Sequence, residues 1–249
     1  MKNVVKVQEA QSTLKDRRSF LKISGLAIAG TGLLLAGCSS DDDSGNNNDN
    51  QNPGVRNGKF DLGGGDLGIL TYAYALEQLE ADFYTRVVNS NTFGNTFNTE
   101  EREVLEDLYK HEVIHREFFK TAISGVITNQ NQLLPNLEFD YGTLNFGNRA
   151  TVLATAKALE DTGVAAYNGA GRYITSADYL LLAGKIVSVE ARHASAIRSL
   201  INPGSADFAG DDVVTTDNGL DAARKPSQII TEVSSLNFIQ TEFTAKYLP

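Results

Sequence analysis

Four stretches of this chain repeat apolar residues three and four apart, and each puts an ionisable side chain where the pattern calls for a core residue. Around residues 66–89 the stripe is Leu70, Ala73, Glu77, Ala81, Tyr84, Val88. Around 99–127 it is Leu105, Leu108, Glu112, His115, Phe119, Ala122. Around 148–173 it is Leu153, Ala156, Glu160, Val164, Tyr167, and around 176–201 it is Tyr179, Ala183, Ile186, Glu190, His193, Ile197, Leu200. Burying a carboxylate or an imidazole costs several kcal/mol unless charge or hydrogen bonding compensates. Four helices that each do so toward one interior need a common compensator. The spacing therefore predicts an all-α four-helix bundle built around polar ligands.

Caps fix the limits of these helices. Asn98 or Thr99 precedes Glu100 and Glu101, an N-terminal signature, and Asn202-Pro203-Gly204 stops the fourth helix. About twenty residues, TNQNQLLPNLEFDYGTLNFGN, separate helices two and three; a connection this long lets helix three run in the direction a bundle requires. The bundle thus spans 66–204. In the extension 205–249 a short helix is expected from Pro226 to Leu236, followed by an aromatic tail with no assignable structure.

The order of the ionisable residues is Glu77, Glu112-x-x-His115, Glu160, Glu190-x-x-His193. Di-iron and di-manganese carboxylate bundles use one Glu from each of two helices and one Glu-x-x-His from each of the other two. Residues three apart on a helix lie about 60° apart in angle and about 4.5 Å apart in rise, so a Glu can bridge two ions while the His one turn on binds one. Four carboxylates and two neutral imidazoles balance two divalent cations, and oxygen-rich ligation with one nitrogen per ion suits Fe or Mn. The repeat ALEQLEADFY (75–84) and ALEDTGVAAY (158–167) pairs Glu77 with Glu160 and Glu80 with Gly163. Glu80 is accordingly placed outside the ligand set, as a supporting or surface residue, and Tyr84 and Tyr167 are candidate hydrogen-bond donors to the bridging carboxylates.

His111-Glu112-x-x-His115 also reads as a zinc metalloprotease motif, with both His on zinc and Glu112 as general base. That reading gives no role to Glu190-x-x-His193 or to Glu77 and Glu160. The di-metal reading leaves only His111, which it puts beside the site or on the helix surface.

The first 65 residues have a different character. Residues 1–37 contain Asp16-Arg17-Arg18-Ser19-Phe20-Leu21-Lys22, a charge-free apolar run and Leu35-Ala36-Gly37-Cys38. The run is too short to span a bilayer, which needs about 20 apolar residues, and the three parts form an export signal. Arg17 and Arg18 resemble the twin-arginine signal, and the last four residues resemble a lipobox whose Cys38 becomes the lipidated first residue of the mature chain. Residues 38–65, rich in Asp, Asn and Gly, are expected to be a disordered tether. The expected location is the cell envelope, lipid-anchored at the periplasmic face of an outer membrane or, since the acidic residues after Cys38 resemble a surface-export signal, at the cell surface. Residues 1–37 hold six of the 22 Lys and Arg and two of the 31 Asp and Glu, so the mature chain carries 16 basic and 29 acidic residues, a net charge of −13. Such a body excludes nucleic acid as a partner.

Together these residues resemble the ferritin-like superfamily, in particular bacterial ferritin-like domain proteins related to plant desiccation-associated proteins. The matching stretches are ALEQLEADFY, HEVIHREFF and VEARHASAIR, and the resemblance runs from about Leu67 to Leu200. It implies a ferritin-like bundle with two Fe or two Mn ions on Glu77, Glu112, His115, Glu160, Glu190 and His193, reacting with oxygen or peroxide as a ferroxidase, peroxidase or catalase-like enzyme. The alternative is a non-catalytic module in which metal staples the bundle for envelope protection. The long second-to-third connection and the segment after 204 depart from the cage-forming ferritins, and the sequence assigns no oligomeric state.

Overall fold

The computed structural model describes residues 51–249; Arg17, Arg18, Cys38 and the first part of the expected tether lie outside them. Four long helices dominate: α1 (Gly65–Val88), α3 (Thr99–Val126), α4 (Arg149–Gly171) and α5 (Ala177–Ile201). A single turn, α2 (Phe93–Thr96), lies between α1 and α3, and α6 (Pro226–Ser235) belongs to the C-terminal extension. α1 packs along α3 and α4 along α5, and the two pairs close on each other through α1 with α4 and α3 with α5. Among the described residues no helix is long and apolar enough to cross a membrane.

The helices start where capping chemistry puts them. Asn98 accepts from the Glu101 amide at 3.0 Å, and Glu101 accepts from the Asn98 amide at 2.9 Å, a reciprocal cap on α3. The other Glu101 oxygen takes a 2.6 Å bond from Arg149 at the start of α4, and Arg149 donates onward to the Leu200 carbonyl at 2.7 Å, satisfying a free acceptor at the end of α5. One guanidinium thus fixes three helix ends in one plane. With α3 and α4 starting side by side, they run in the same direction, and residues 127–148 must travel the length of the bundle. A 23-residue helix is about 35 Å long, within reach of 22 largely extended residues. The crossover is held on the way by buried Gln78 of α1, which accepts from the Leu137 amide at 2.8 Å and donates to the Pro135 carbonyl at 3.3 Å.

Two expectations are corrected. Residues 38–65 were assigned to a tether, yet β1 (Gly54–Arg56) and β2 (Lys59–Asp61) form an antiparallel pair, and β2 takes a parallel partner in β3 (Phe243–Thr244) from the aromatic tail. Buried Asp61 explains why: its carboxylate accepts from the Gly63 amide, the Thr244 hydroxyl and the Lys246 amide at 2.9, 2.6 and 3.1 Å, tying both ends of the folded body together. Second, α1 and α4 are buried nearly all round rather than along one stripe. The crossover and the C-terminal extension cover their outer faces, with Tyr141, Leu137, Ile229 and Val233 joining the core.

The extension crosses α4 at backbone distance. The Arg224 amide donates to the Ala165 carbonyl at 3.0 Å, and a methyl group built on Gly169 would fall 1.6 Å from the Arg224 carbonyl oxygen. Nothing but backbone is there to yield. Gly169→Ala is expected to lose about 1–3 kcal/mol in denaturant unfolding of the full chain, the usual cost of overpacking. Gly184→Ala, on an exposed part of α5 where the added methyl meets nothing, should gain about 0.5–1 kcal/mol from helix propensity.

Candidate metal centre

All six expected ligands converge in the bundle. Glu77, Glu112, Glu160 and Glu190 have no exposed surface, His193 is buried, and the His115 side chain is 12% exposed. Their atoms form two groups. The His115 Nδ1 lies 2.8 Å from Glu190 Oε1, 3.5 Å from Glu77 Oε2 and 3.5 Å from Glu112 Oε2. The His193 Nδ1 lies 2.7 Å from Glu112 Oε1, 3.5 Å from Glu160 Oε2 and 3.4 Å from Glu190 Oε2. Within each group the ligand atoms lie within 4.8 Å of one another. Glu112 and Glu190 therefore serve both groups, one oxygen each, while Glu77 and Glu160 serve one apiece.

Helix geometry produces this division. Each Glu-x-x-His helix presents its Glu between the groups and its His one turn on, beside the Glu of the opposite helix. The eight atoms that face the groups are Glu77 Oε2, both oxygens of Glu112 and of Glu190, Glu160 Oε2, His115 Nδ1 and His193 Nδ1. All eight are buried without a hydrogen-bond partner. Buried polar atoms are nearly always paired, so eight unpaired atoms arranged as two four-atom groups are what a site for cations looks like. The residues fit metal ions.

The remaining oxygens of the outer carboxylates are engaged. Tyr84 donates to Glu160 Oε1 at 2.6 Å, and Tyr167 donates to Glu77 Oε1. The tyrosines cross over: each leaves the helix of one outer Glu and reaches the outer Glu of the other pair. They were expected on the bridging carboxylates; the bridging oxygens instead all face the two groups, and only the outer carboxylates have an oxygen to spare. Such supporting donors fix ligand orientation.

His111 and Glu80 complete the surroundings. The rings of His111 and His193 lie 5.2 Å apart and nearly parallel, with His111 Nδ1 2.9 Å from His193 Nε2. With Nδ1 of His193 facing the carboxylates, its Nε2 carries the proton and donates to His111. Burial, with His193 and His115 adding like-charge repulsion, lowers the His111 pKa and keeps it a neutral acceptor. His111 joins neither group among the described residues, so a zinc site on His111 and His115 lacks its first ligand. Its partnership with His193 was not legible in sequence, because the two are 82 residues apart. Glu80 is buried rather than on the surface. Burial, followed by the fields of Glu112, Glu190, Glu160 and Glu77, drives its pKa well above the usual carboxylate range, so it holds a proton. A methyl on Gly163 would lie 3.0 Å from Glu80 Oε1, so the mismatch in the internal repeat is a fit between the two.

Without cations the ligands must share protons. Burial disfavours the His115 imidazolium, but the negative charge of Glu112, Glu190 and Glu77 close beside it outweighs that and pushes its pKa up to about 12; His193 is raised likewise by Glu112, Glu160 and Glu190. Burial raises Glu112, Glu77 and Glu160, whereas Glu190, between both imidazoles, is pulled down to about 2 against its own desolvation. A metal must displace the imidazole protons, because only the neutral ring binds. The sign follows: affinity falls as pH falls, since acidification favours the protonated, metal-free form. Calorimetric Mn(II) titration of metal-depleted full chain at pH 6, 7 and 8, in buffers of different ionisation enthalpy, should show net proton release and an affinity that weakens at least tenfold per unit of acidification.

Comparison with known proteins agrees with this geometry. No curated protein matches the chain. The family model described as a ferritin-like domain matches residues 65–203, which hold all four long helices and all six ligands. More than half of the chain and the whole of the candidate centre fall inside that match, and the protein belongs to the ferritin-like domain family.

Proposed function

We propose that the protein is an exported di-metal carboxylate protein that holds two Fe or two Mn ions and reacts with oxygen or peroxide, as a ferroxidase, peroxidase or catalase-like enzyme. The observation that carries this is the coincidence of the eight unpaired buried atoms with the two four-atom groups sharing Glu112 and Glu190. Glu77, Glu112, His115 and Glu190 would hold one ion, and Glu160, Glu112, Glu190 and His193 the other. Four carboxylates and two neutral imidazoles carry −4, the charge that two divalent cations cancel. Oxygen-rich ligation with one nitrogen per ion favours Fe or Mn.

A bound pair of such ions supplies redox chemistry, two one-electron steps at adjacent centres. The chain supplies the setting. Tyr84 and Tyr167 hold the outer carboxylates so that one oxygen of each is committed inward. Glu80 is buried beside the centre, with its carboxyl group fitted against Gly163 of α4. His111 holds the His193 ring in its ligating tautomer from the exposed side.

The test starts with elemental analysis of the native protein, followed by anaerobic reconstitution with Fe(II) or Mn(II). Two ions per chain are expected, with oxygen uptake on aeration of the Fe form or peroxide breakdown by the Mn form. Glu160→Gln should keep one ion, and Glu112→Ala, which removes an oxygen from both groups, should keep neither. Metal bound without turnover of oxygen or peroxide would leave the non-catalytic module as the function.

Location belongs to the same proposal. Arg17 and Arg18 before an apolar run, and Cys38 at its end, support twin-arginine export and a lipid anchor in the cell envelope. Because that route carries folded proteins, metal would be loaded before export. Replacing Arg17 and Arg18 by Lys should retain the chain inside the cell, and Cys38→Ser should release it from the membrane fraction. Export unchanged by the double Lys variant would refute the route.

A further inference from the structure

Between the metal centre and one end of the bundle lies an apolar cavity that the site does not use. Its wall is built by all four long helices: Leu76 and Ala73 of α1, Phe119 of α3, Tyr167 of α4, and Ala183 and Ile186 of α5 are among its residues. Helical position places it. Leu76 directly precedes Glu77, Ile186 lies one turn before Glu190, and Phe119 one turn after His115, a rise of about 6 Å in each of the last two cases. The inner wall is Tyr167, whose hydroxyl is bonded to Glu77 and whose ring lies 6.3 Å from that of Phe119. The outer wall includes half-exposed Leu182, Tyr179 and Phe118.

The interior offers about 30 Å³ to the centres of water-sized molecules. That is room for more than one water, which needs roughly 10–15 Å³, but a water also needs two to four polar partners. The side-chain polar atoms on this wall are three tyrosine hydroxyls. The Tyr167 hydroxyl is committed to Glu77, and the Tyr72 hydroxyl is buried without a hydrogen-bond partner, so few polar atoms are free to hold a water here. A cavity of this size, walled almost wholly by apolar side chains, favours small apolar molecules over water.

We propose that this cavity is a dioxygen-binding site, and that oxygen reaches the centre through the apolar end of the bundle, past Phe119 and Tyr167, rather than along the polar side where His111 is exposed. The inference rests on the redox reading above and selects oxygen over peroxide as the substrate held here, because hydrogen peroxide would surrender its hydrogen bonds to water and find few replacements. Tyr167 then has two tasks, holding Glu77 with its hydroxyl and separating the cavity from the ligands with its ring.

Xenon, apolar and comparable in size, tests the cavity without turnover. Metal-free crystals of the full chain pressurised with xenon should show one atom between Phe119, Tyr167 and Ile186; no xenon there, or ordered water in its place, overturns the proposal. Ala183→Phe and Ala122→Phe, from part-exposed positions on neighbouring helices, should each abolish the xenon peak and leave anaerobic Fe(II) binding intact. Each should raise the KM for oxygen at least fivefold. An unchanged KM in variants that exclude xenon overturns the route. Xenon binding in a protein that consumes no oxygen overturns the redox reading and the cavity's role with it, an outcome distinct from an empty cavity.

Discussion

Four carboxylates and two imidazoles inside one bundle are the constraint on which the rest of the structure depends. No arrangement of these side chains alone can satisfy them. Two outer oxygens find tyrosine hydroxyls, and eight inward atoms find none. A hydrophobic core of the same volume would be as stable or more so. The arrangement makes physical sense only with positive charge at its centre, and the helices are placed accordingly: one carboxylate from α1, one from α4, and a bridging Glu with its His from each of α3 and α5.

Precision at the centre is built from outside inward. Arg149 aligns three helix ends through Glu101 and the Leu200 carbonyl, and Arg198, nearly fully buried, binds Asp161 of α4 and Asp212 of the extension through paired bonds of 2.7–2.9 Å. The crossover and extension then cover α1 and α4, the two helices that carry the outer ligands. Their covering leaves these two helices buried nearly all round, while α3 and α5 keep an exposed face. Ligand positions held by rigid helices and by hydrogen-bonded partners are more precise than positions held by loops.

Much of this was legible in the sequence because it is periodic. The four long helices begin and end within about two residues of the expected limits, the short α6 starts at Pro226 as expected, and the ligand residues stand out because charge interrupts an apolar stripe. What escaped was non-local. The strand pairing of residues 54–61 with 243–244 joins segments of low apolar content whose partner is nearly the whole chain away. The contact of His111 with His193, and the crossing of Tyr84 to Glu160 and of Tyr167 to Glu77, depend on which helix faces which, and a single stripe is silent about that. The repeat placed Glu80 outside the ligand set because Gly163 has no charge to match it, and left open whether it supports the site or faces solvent; it is buried, and space, not charge, is the match.

The sharing of Glu112 and Glu190 makes the two halves of the bundle depend on each other. The α1–α3 hairpin by itself furnishes three donors to one cation and a single donor to the other, and the α4–α5 hairpin does the reverse. Neither half alone supplies all four donors of either group, and only the two hairpins together complete both. The chain thus sets two like hairpins face to face, and the crossover lets a single polypeptide supply both.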